Sequence, residues 1–226
     1  SSIFTAMKNI LCITYRSWAS KIYKELEKSL PDLNFKTIND KSSYSPEIIE
    51  SFQPDIILWY GWSWIIPEHI INKYPSLCLH PSPLPKYRGG SPIQNQIANN
   101  EKISAVTIFK MDEGVDTGDI IAQIPILLDG EIQDIFNRMT EAGFIATYEL
   151  LRNGYSLTKQ KEEESTVFRR RSPKDSEITI EEINNESVEY LYNKTRMLTD
   201  PYPNAYIQDK DGGRLYITKS HIKDGL

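Results

Sequence analysis

Apolar positions in the first 155 residues follow two alternating rhythms. Short runs rich in Ile, Leu, Val, Phe and Trp predict strands at Lys8–Ile13, Phe35–Ile38, Ile56–Trp59, Ser76–Leu79, Ala105–Phe109 and Ile120–Ile126. Between them the spacing changes to three and four. Trp18, Ile22, Tyr23, Leu26 and Leu30 predict a helix over Ser17–Leu30, stopped by Pro31. Pro46–Phe52 predicts a short helix with Ser45 at its N-cap, and Pro67–Asn72 predicts another. Ile135, Met139, Ala142, Ile145, Ala146 and Leu150 predict a long amphipathic helix over Ile132–Arg152. Strand–helix alternation of this kind implies an α/β fold with a doubly wound, mostly parallel sheet. Ligands of such sheets sit beyond the carboxyl ends of the strands.

After about residue 155 the texture changes. A charged stretch, Lys159–Glu164, leads into "VFRRRSPKDSEI". Val188–Thr195 predicts a short helix, and "DKDGGRLYITKS" predicts a β-hairpin turning at Asp-Gly-Gly. The expected organisation is a core over residues 7–155 and a small C-terminal appendage over 156–226 that contains the hairpin. The hairpin suggests an arm for a homodimer. Residues 1–6 precede Met7 and are set apart as a cloning remnant.

Composition narrows the function classes. The 226 residues are 39% hydrophobic and 25% charged, an ordinary globular balance, with a formal net charge of -5. An acidic chain is a poor general nucleic-acid binder. No apolar run approaches the ~20 residues of a membrane span, and no secretory pattern opens the chain. The expectation is a cytoplasmic protein in which Cys12 and Cys78 are reduced thiols rather than a disulfide.

Candidate chemistry begins at "LHPSPLPKYRGG", Leu79–Gly90. His80 stands at a strand end. Pro81, Pro83 and Pro85 then fix φ and remove backbone donors. A histidine near a sheet is often an ordinary core residue, but a stiff loop after a strand end suits a positioned general acid or base. In "MDEGVDTGDI", Met111–Ile120, three aspartates and two glycines follow a strand. The spacing lacks the twelve-residue calcium loop with its closing Glu, so no metal is expected. A polar turn remains open, as does a carboxylate that orients His80 and stabilises its charged form. In "WYGWSWIIPEH", core packing explains Trp59, whereas three tryptophans within six residues of a loop point to a ligand pocket. No Gly-rich dinucleotide or P-loop motif is present.

"LHPSPLPKYRGGSPIQ" followed by "VTIFKMDEGVDTGDII" resembles the folate-dependent formyltransferases. That family includes methionyl-tRNA, glycinamide ribonucleotide and sugar N-formyltransferases. The resemblance implies a Rossmann-like core that passes the formyl group of N10-formyltetrahydrofolate to a primary amine without a metal. His80 and Asp116 match the family's His and Asp. Cys78 stands where relatives carry an Asn that donates to the formyl oxygen, and a thiol donates weakly. A nucleophilic Cys78–His80 pair is the alternative. The resemblance assigns the folate to Trp62, Ser63, Trp64, Ile65 and Ile66, together with Asp112, Glu113, Gly114 and Val115.

"FRRRSPKDSEI" and "DPYPNAY" resemble segments of the sugar formyltransferases. This implies a nucleotide-linked 4-amino sugar as acceptor, with dTDP-4-amino-4,6-dideoxyglucose for O-antigen and lipopolysaccharide synthesis as first choice. Lys86, Arg88, Gly90 and Arg169, Arg170 and Arg171 are the candidate substrate contacts. The triplet also reads as a solvated run. The Lys86–Arg88 loop also reads as structural, with Arg88 pinning the turn through backbone carbonyls. The longer tRNA-gripping domain of methionyl-tRNA formyltransferases and the acidic balance of this chain argue against tRNA. Glycinamide ribonucleotide formyltransferase, formyltetrahydrofolate hydrolase and a non-catalytic folate or sugar-nucleotide binder are the alternatives, the last motivated by Cys78.

Overall fold

A computed structural model describes residues 2–3 and 7–223. Its centre is a six-stranded sheet of β1 (Asn9–Ile13), β2 (Asn34–Ile38), β3 (Ile56–Leu58), β4 (Ser76–His80), β5 (Ile103–Lys110) and β6 (Ile120–Leu127). The spatial order is β2-β1-β3-β4-β5-β6. Strands β1 to β4 are parallel. Strands β5 and β6 turn back as antiparallel neighbours. The fold is therefore α/β with a mixed, mostly parallel sheet.

Period-two alternation gives each side chain of β1 its face. Ile10 and Cys12 join the core under α1 (Ser17–Ser29) and α5 (Ile132–Asn153). Leu11 and Ile13 join the opposite core with Ile49 of α2 (Pro46–Phe52) and Ile70 of α3 (Glu68–Lys73). Each fully buried side chain of this size contributes about 1.5–3 kcal/mol. On β4 the same alternation sends Leu77 and Leu79 into the α1–α5 core, which leaves Cys78 and His80 together on the other face. The Tyr23 hydroxyl of α1 lies 2.9 Å from the Ile13 carbonyl and accepts from the Tyr60 amide at 2.9 Å. That bond ties the helix to the carboxyl ends of β1 and β3.

Three details differ from the sequence expectation. Ser45 occupies the N-cap position of α2 but makes no capping bond. Strand β3 ends at Leu58, and Trp59 is buried just beyond it. Helix α4 (Pro92–Ala98) is unannounced because its buried face carries glutamines, with Gln96 Nε2 donating to the Pro81 and Pro92 carbonyls.

Beyond α5 the chain returns to the Pro-rich loop. Val167–Phe168 pairs in parallel with Arg88–Gly89. Helices α6 (Ile180–Asn185) and α7 (Val188–Arg196) follow, then the hairpin of β7 (Ala205–Gln208) and β8 (Arg214–Ile217). Two glycines make the close return possible. Gly89 has φ +93°, and a Cβ there would overlap the Phe168 carbonyl, while one on Gly90 would overlap the Arg170 backbone. Gly90→Ala should therefore destabilise the protein by about 1–3 kcal/mol, the usual range for overpacking. Denaturant unfolding beside the wild type checks this, and an unchanged midpoint would contradict the close approach.

Candidate active site

His80 ends β4 and is buried, its ring fixed by two neighbours. Nε2 lies 2.7 Å from the Tyr87 carbonyl oxygen. A carbonyl can only accept, so Nε2 carries the hydrogen and donates. Nδ1 is then the nitrogen free to take or give a proton. It faces Asp116 Oδ2 at 3.6 Å, beyond hydrogen-bond length. The same carboxylate oxygen accepts from the Gly89 amide at 2.8 Å. Asp116 holds φ at +56°, an uncommon conformation for a residue with a side chain.

What holds Asp116 is a buried cation. Arg88 is 4% exposed, and a charge that deep requires partners. Its Nε and Nη2 donate to Gln160 Oε1 at 3.2 and 2.9 Å, and its Nη1 and Nη2 to the two oxygens of Glu162 at 3.0 and 2.6 Å. Gln160 Nε2 in turn donates to the carbonyls of Asp116 and Gly118 at 2.9 and 2.7 Å. Arg88 is thus committed to a structural network. It pins the loop through two side chains rather than through backbone carbonyls. The Arg88 hydrogen bonds hold the Glu162 carboxyl below the ordinary range. The clamp is accordingly intact at neutral pH and loosens as pH falls through that lowered value.

Two adjoining cavities meet at Asp116, and His80 lines the second of them. The first, about 410 Å³, brings together Trp62, Ser63, Trp64, Ile65 and Ile66 on one wall and Asp112, Glu113, Gly114 and Val115 on the other. Ile65 is 97% exposed, an apolar side chain left for something to cover. Lys41 Nζ sits 5.4 and 5.1 Å from the Trp62 and Trp64 rings, and Tyr15 Oη is 2.6 Å from Ser63 Oγ, so the wall is ordered. Buried Trp59 Nε1 has no acceptor in the structure. Glu68 faces Glu113 across the mouth and pushes its carboxyl above the ordinary range. The second cavity, about 250 Å³, contains His80, Asp116, Arg16, Pro92, Met139 and Tyr202 in its lining. Trp62, Ser63, Cys78 and Asp116 line both.

Cys78 therefore stands at the junction. Burial, and then the charge of Asp116, push its thiol far above the ordinary range. Its Sγ lies 3.8 Å from the Leu79 carbonyl. A protonated thiol is a poor nucleophile. Both cysteines are free.

The remaining expected contacts stand away from the cavities. Lys86 is exposed beside the loop. Gly90 is the close-approach site of the returning chain. Arg169 forks onto Asp175 at 2.9 and 3.0 Å, and Arg171 donates to the Asp175 carbonyl at 3.0 Å. Arg170 is exposed and pairs with no acidic side chain among the described residues. Sequence reasoning missed Arg16, Tyr202 and Gln160. The strand-end rule that found His80 also covers Arg16, which follows β1 by three residues. Gln160, inside a charged stretch, carried no signal. Among the described residues no three or more His, Cys, Asp or Glu side chains gather as a metal site, and no helix is long and apolar enough to cross a membrane.

The architecture is an open α/β sheet with a histidine–carboxylate pair at its strand ends, beside two clefts. More specifically, the chain belongs to the formyl transferase family, whose model matches residues 8–151. It is 34% identical over 195 residues to the methionyl-tRNA formyltransferase of Lysinibacillus sphaericus (strain C3-41), covering 83% of this chain and 60% of that protein. The chain spans about three fifths of the length of such curated relatives. It superposes on the methionyl-tRNA formyltransferase from Clostridium thermocellum with a TM-score of 0.89 and 34% identity, covering 97% of this chain and 96% of that one. A sugar N-formyltransferase from Shewanella sp. FDAARGOS_354 shares the fold, at a TM-score of 0.75 and 18% identity, over 96% of this chain and 99% of that one.

The clamp makes a graded prediction. Gln160→Ala strands the buried Arg88 Nε and frees two loop carbonyls, and should lower unfolding stability by about 1–3 kcal/mol. Glu162→Gln, at a side chain 69% exposed, should lower it by less than about 1 kcal/mol. Urea titrations of both variants test the order, and equal losses would refute it.

Proposed function

We propose that this protein transfers a formyl group from N10-formyltetrahydrofolate to a primary amine. The observation that carries the reading is the pair of His80 Nδ1 and Asp116, with Asp116 lining two cavities of different character and His80 lining the second. The first cavity fits the donor. Its volume is in the range of small-molecule sites, and its tryptophan and isoleucine walls suit a flat heterocycle. The unpartnered Trp59 Nε1 leaves one buried donor for a ligand acceptor. Trp62, Trp64, Ile65 and Ile66 would hold the ring, with Asp112–Val115 closing the other side. Bound there, the folate supplies a formyl group on nitrogen, activated toward an amine.

The chain's own residues handle the proton and the charge. An attacking amine must lose a proton, and His80 Nδ1 is the free acceptor at the junction. Proton uptake makes the imidazolium, which the Asp116 carboxylate stabilises while Tyr87 keeps the ring from turning. Cys78 occupies a donor position but donates weakly, so charged His80 carries most of the stabilisation of negative charge at the reacting oxygen.

The acceptor in this reading is a nucleotide-linked 4-amino sugar, with dTDP-4-amino-4,6-dideoxyglucose the first compound to assay. The net charge of -5 and the sugar-enzyme-like "DPYPNAY" segment support it. Methionyl-tRNA is the second reading, favoured by the names of the relatives at 34% identity. Parallel assays with dTDP- and UDP-linked amino sugars and with methionyl-tRNA separate the two. The reading fails if none is formylated.

His80→Ala should cut turnover by roughly 10²-fold or more while sparing donor binding. Asp116→Asn should lower kcat with little change in either KM, since it removes charge at constant shape. Steady-state kinetics of both variants check the pair, and near-normal kcat in either rejects its assigned role.

Direct transfer also predicts that Cys78→Asn keeps or raises kcat. Intact-mass spectra of wild type given donor without amine should then lack a formyl-thioester adduct of ~28 Da. The adduct, together with an inactive Cys78→Asn, would make the thiol the nucleophile.

A further inference from the structure

The two cavities share a wall, and one residue outside both of them braces it. Trp62 and Ser63 line the first cavity and the second, and Trp64 lines the first. Tyr15, in the loop after β1, contacts all three. Its Oη lies 2.6 Å from Ser63 Oγ, a hydrogen bond between two loops. Its ring meets the Trp64 and Trp62 rings edge-on, with centroids 4.9 and 6.4 Å apart. Tyr15 itself lines neither cavity.

The same ring carries a cation of the second cavity. The Arg16 guanidinium carbon stands 4.6 Å from the Tyr15 ring centroid. Arg16 is the one Lys or Arg among the described residues that line this cavity. The arginines held by carboxylates among the described residues are Arg88, Arg138, Arg152 and Arg169, so the charge of Arg16 is free for a ligand. Its base is fixed by packing. Gly61 has φ +66°, and a Cβ there would come within 2.9 Å of Arg16 Cβ and Cγ. The Arg16 amide also donates to Thr14 Oγ1 at 2.9 Å. The loops after β1 and β3 therefore interlock at two points, Arg16 against Gly61 and Tyr15 against Ser63.

We propose that Tyr15 is a positioning residue that latches the wall between the two clefts, fixing the tryptophans for the donor and Arg16 for an anionic acceptor. This role rests on the proposed division of donor and acceptor between the two cavities and deepens it. Ordering a binding wall at the moment of binding costs affinity, so a wall held beforehand binds better. Trp64 is 40% exposed, and contacts from outside its loop set its place. A guanidinium seated against an aromatic ring is held in the same way. One side chain thus serves both ligands through separable parts, the hydroxyl for the donor wall and the ring for Arg16. Both acceptor readings carry phosphate, which a guanidinium matches, and the parallel assays distinguish them.

Tetrahydrofolate binding to the full chain, read by tryptophan quenching, tests the hydroxyl without turnover. Tyr15→Phe and Ser63→Ala should each weaken it about three- to tenfold, the range of one hydrogen bond. The double variant should bind no more weakly than Ser63→Ala alone, because both changes remove the same bond. Steady-state kinetics with the amine that is formylated test the ring. Tyr15→Leu should raise the acceptor KM about threefold or more, as for a lost cation–π contact, and Tyr15→Phe should keep it near the wild-type value. Arg16→Ala should raise it about tenfold or more, and adding Tyr15→Leu to it should change little further. In the Tyr15 variants kcat should fall less than KM rises, because His80 and Asp116 keep their own contacts.

Unchanged tetrahydrofolate affinity in Tyr15→Phe, or losses that add in the double variant, overturn the latch even if an amine is formylated normally. An acceptor KM that Tyr15→Leu leaves unchanged overturns the role of the ring. A shared loss of tetrahydrofolate affinity upholds the latch even if no amine tested is formylated, in which case only the acceptor reading fails. Wild type that does not bind tetrahydrofolate overturns both.

Discussion

A single buried cation organises this site. Arg88 sits in the middle of the Pro-rich loop with its guanidinium out of solvent. Desolvating such a group costs several kcal/mol unless its donors are filled. The structure fills them with Gln160 and Glu162, residues more than seventy positions downstream. Because Gln160 also binds the carbonyls of Asp116 and Gly118, satisfying one charge fixes three segments together. The loop then presents the Tyr87 carbonyl to one side of the His80 ring. The Gly89 amide reaches the carboxylate that faces the other side. Remove the cation and neither nitrogen of the imidazole has a defined neighbour.

The division of labour between the two cavities follows from the sheet. Strand β4 alternates, so Leu77 and Leu79 seal the core while Cys78 and His80 share the face toward the clefts. On one side of them is an aromatic, apolar wall with carboxylates at its mouth; on the other, a smaller cleft edged by arginine. The thiol at the junction stays protonated because burial and the Asp116 charge both oppose its ionisation.

Much of this was legible in the chain. Every strand of the main sheet lies where apolar runs predicted it, and in the central strands β1, β3 and β4 burial on both faces leaves little room for polar residues. The long helix α5 announced itself through its apolar stripe. His80 and Asp116 could be paired by motif, since the distance between two strand ends in one sheet is fixed by the elements between them. Helix α4 could not be read, because two of its four buried residues are glutamines, and Gln96 answers to the distant Pro81 carbonyl.

What the sequence determined by itself is the set of local preferences: strand or helix, stiff or flexible, buried or wet. Those depend on neighbours a few residues away. The roles of the arginines depend on distant ones. Arg88, Arg169, Arg170 and Arg171 are indistinguishable as letters. Only the return of the chain across Gly89 and Gly90 decided that Arg88 would be an internal strut and Arg169 the mate of Asp175, with Arg170 exposed and without a carboxylate partner among the described residues. A long-range ion pair is set by which segments the folded sheet brings within a few ångströms, and no local pattern encodes that distance.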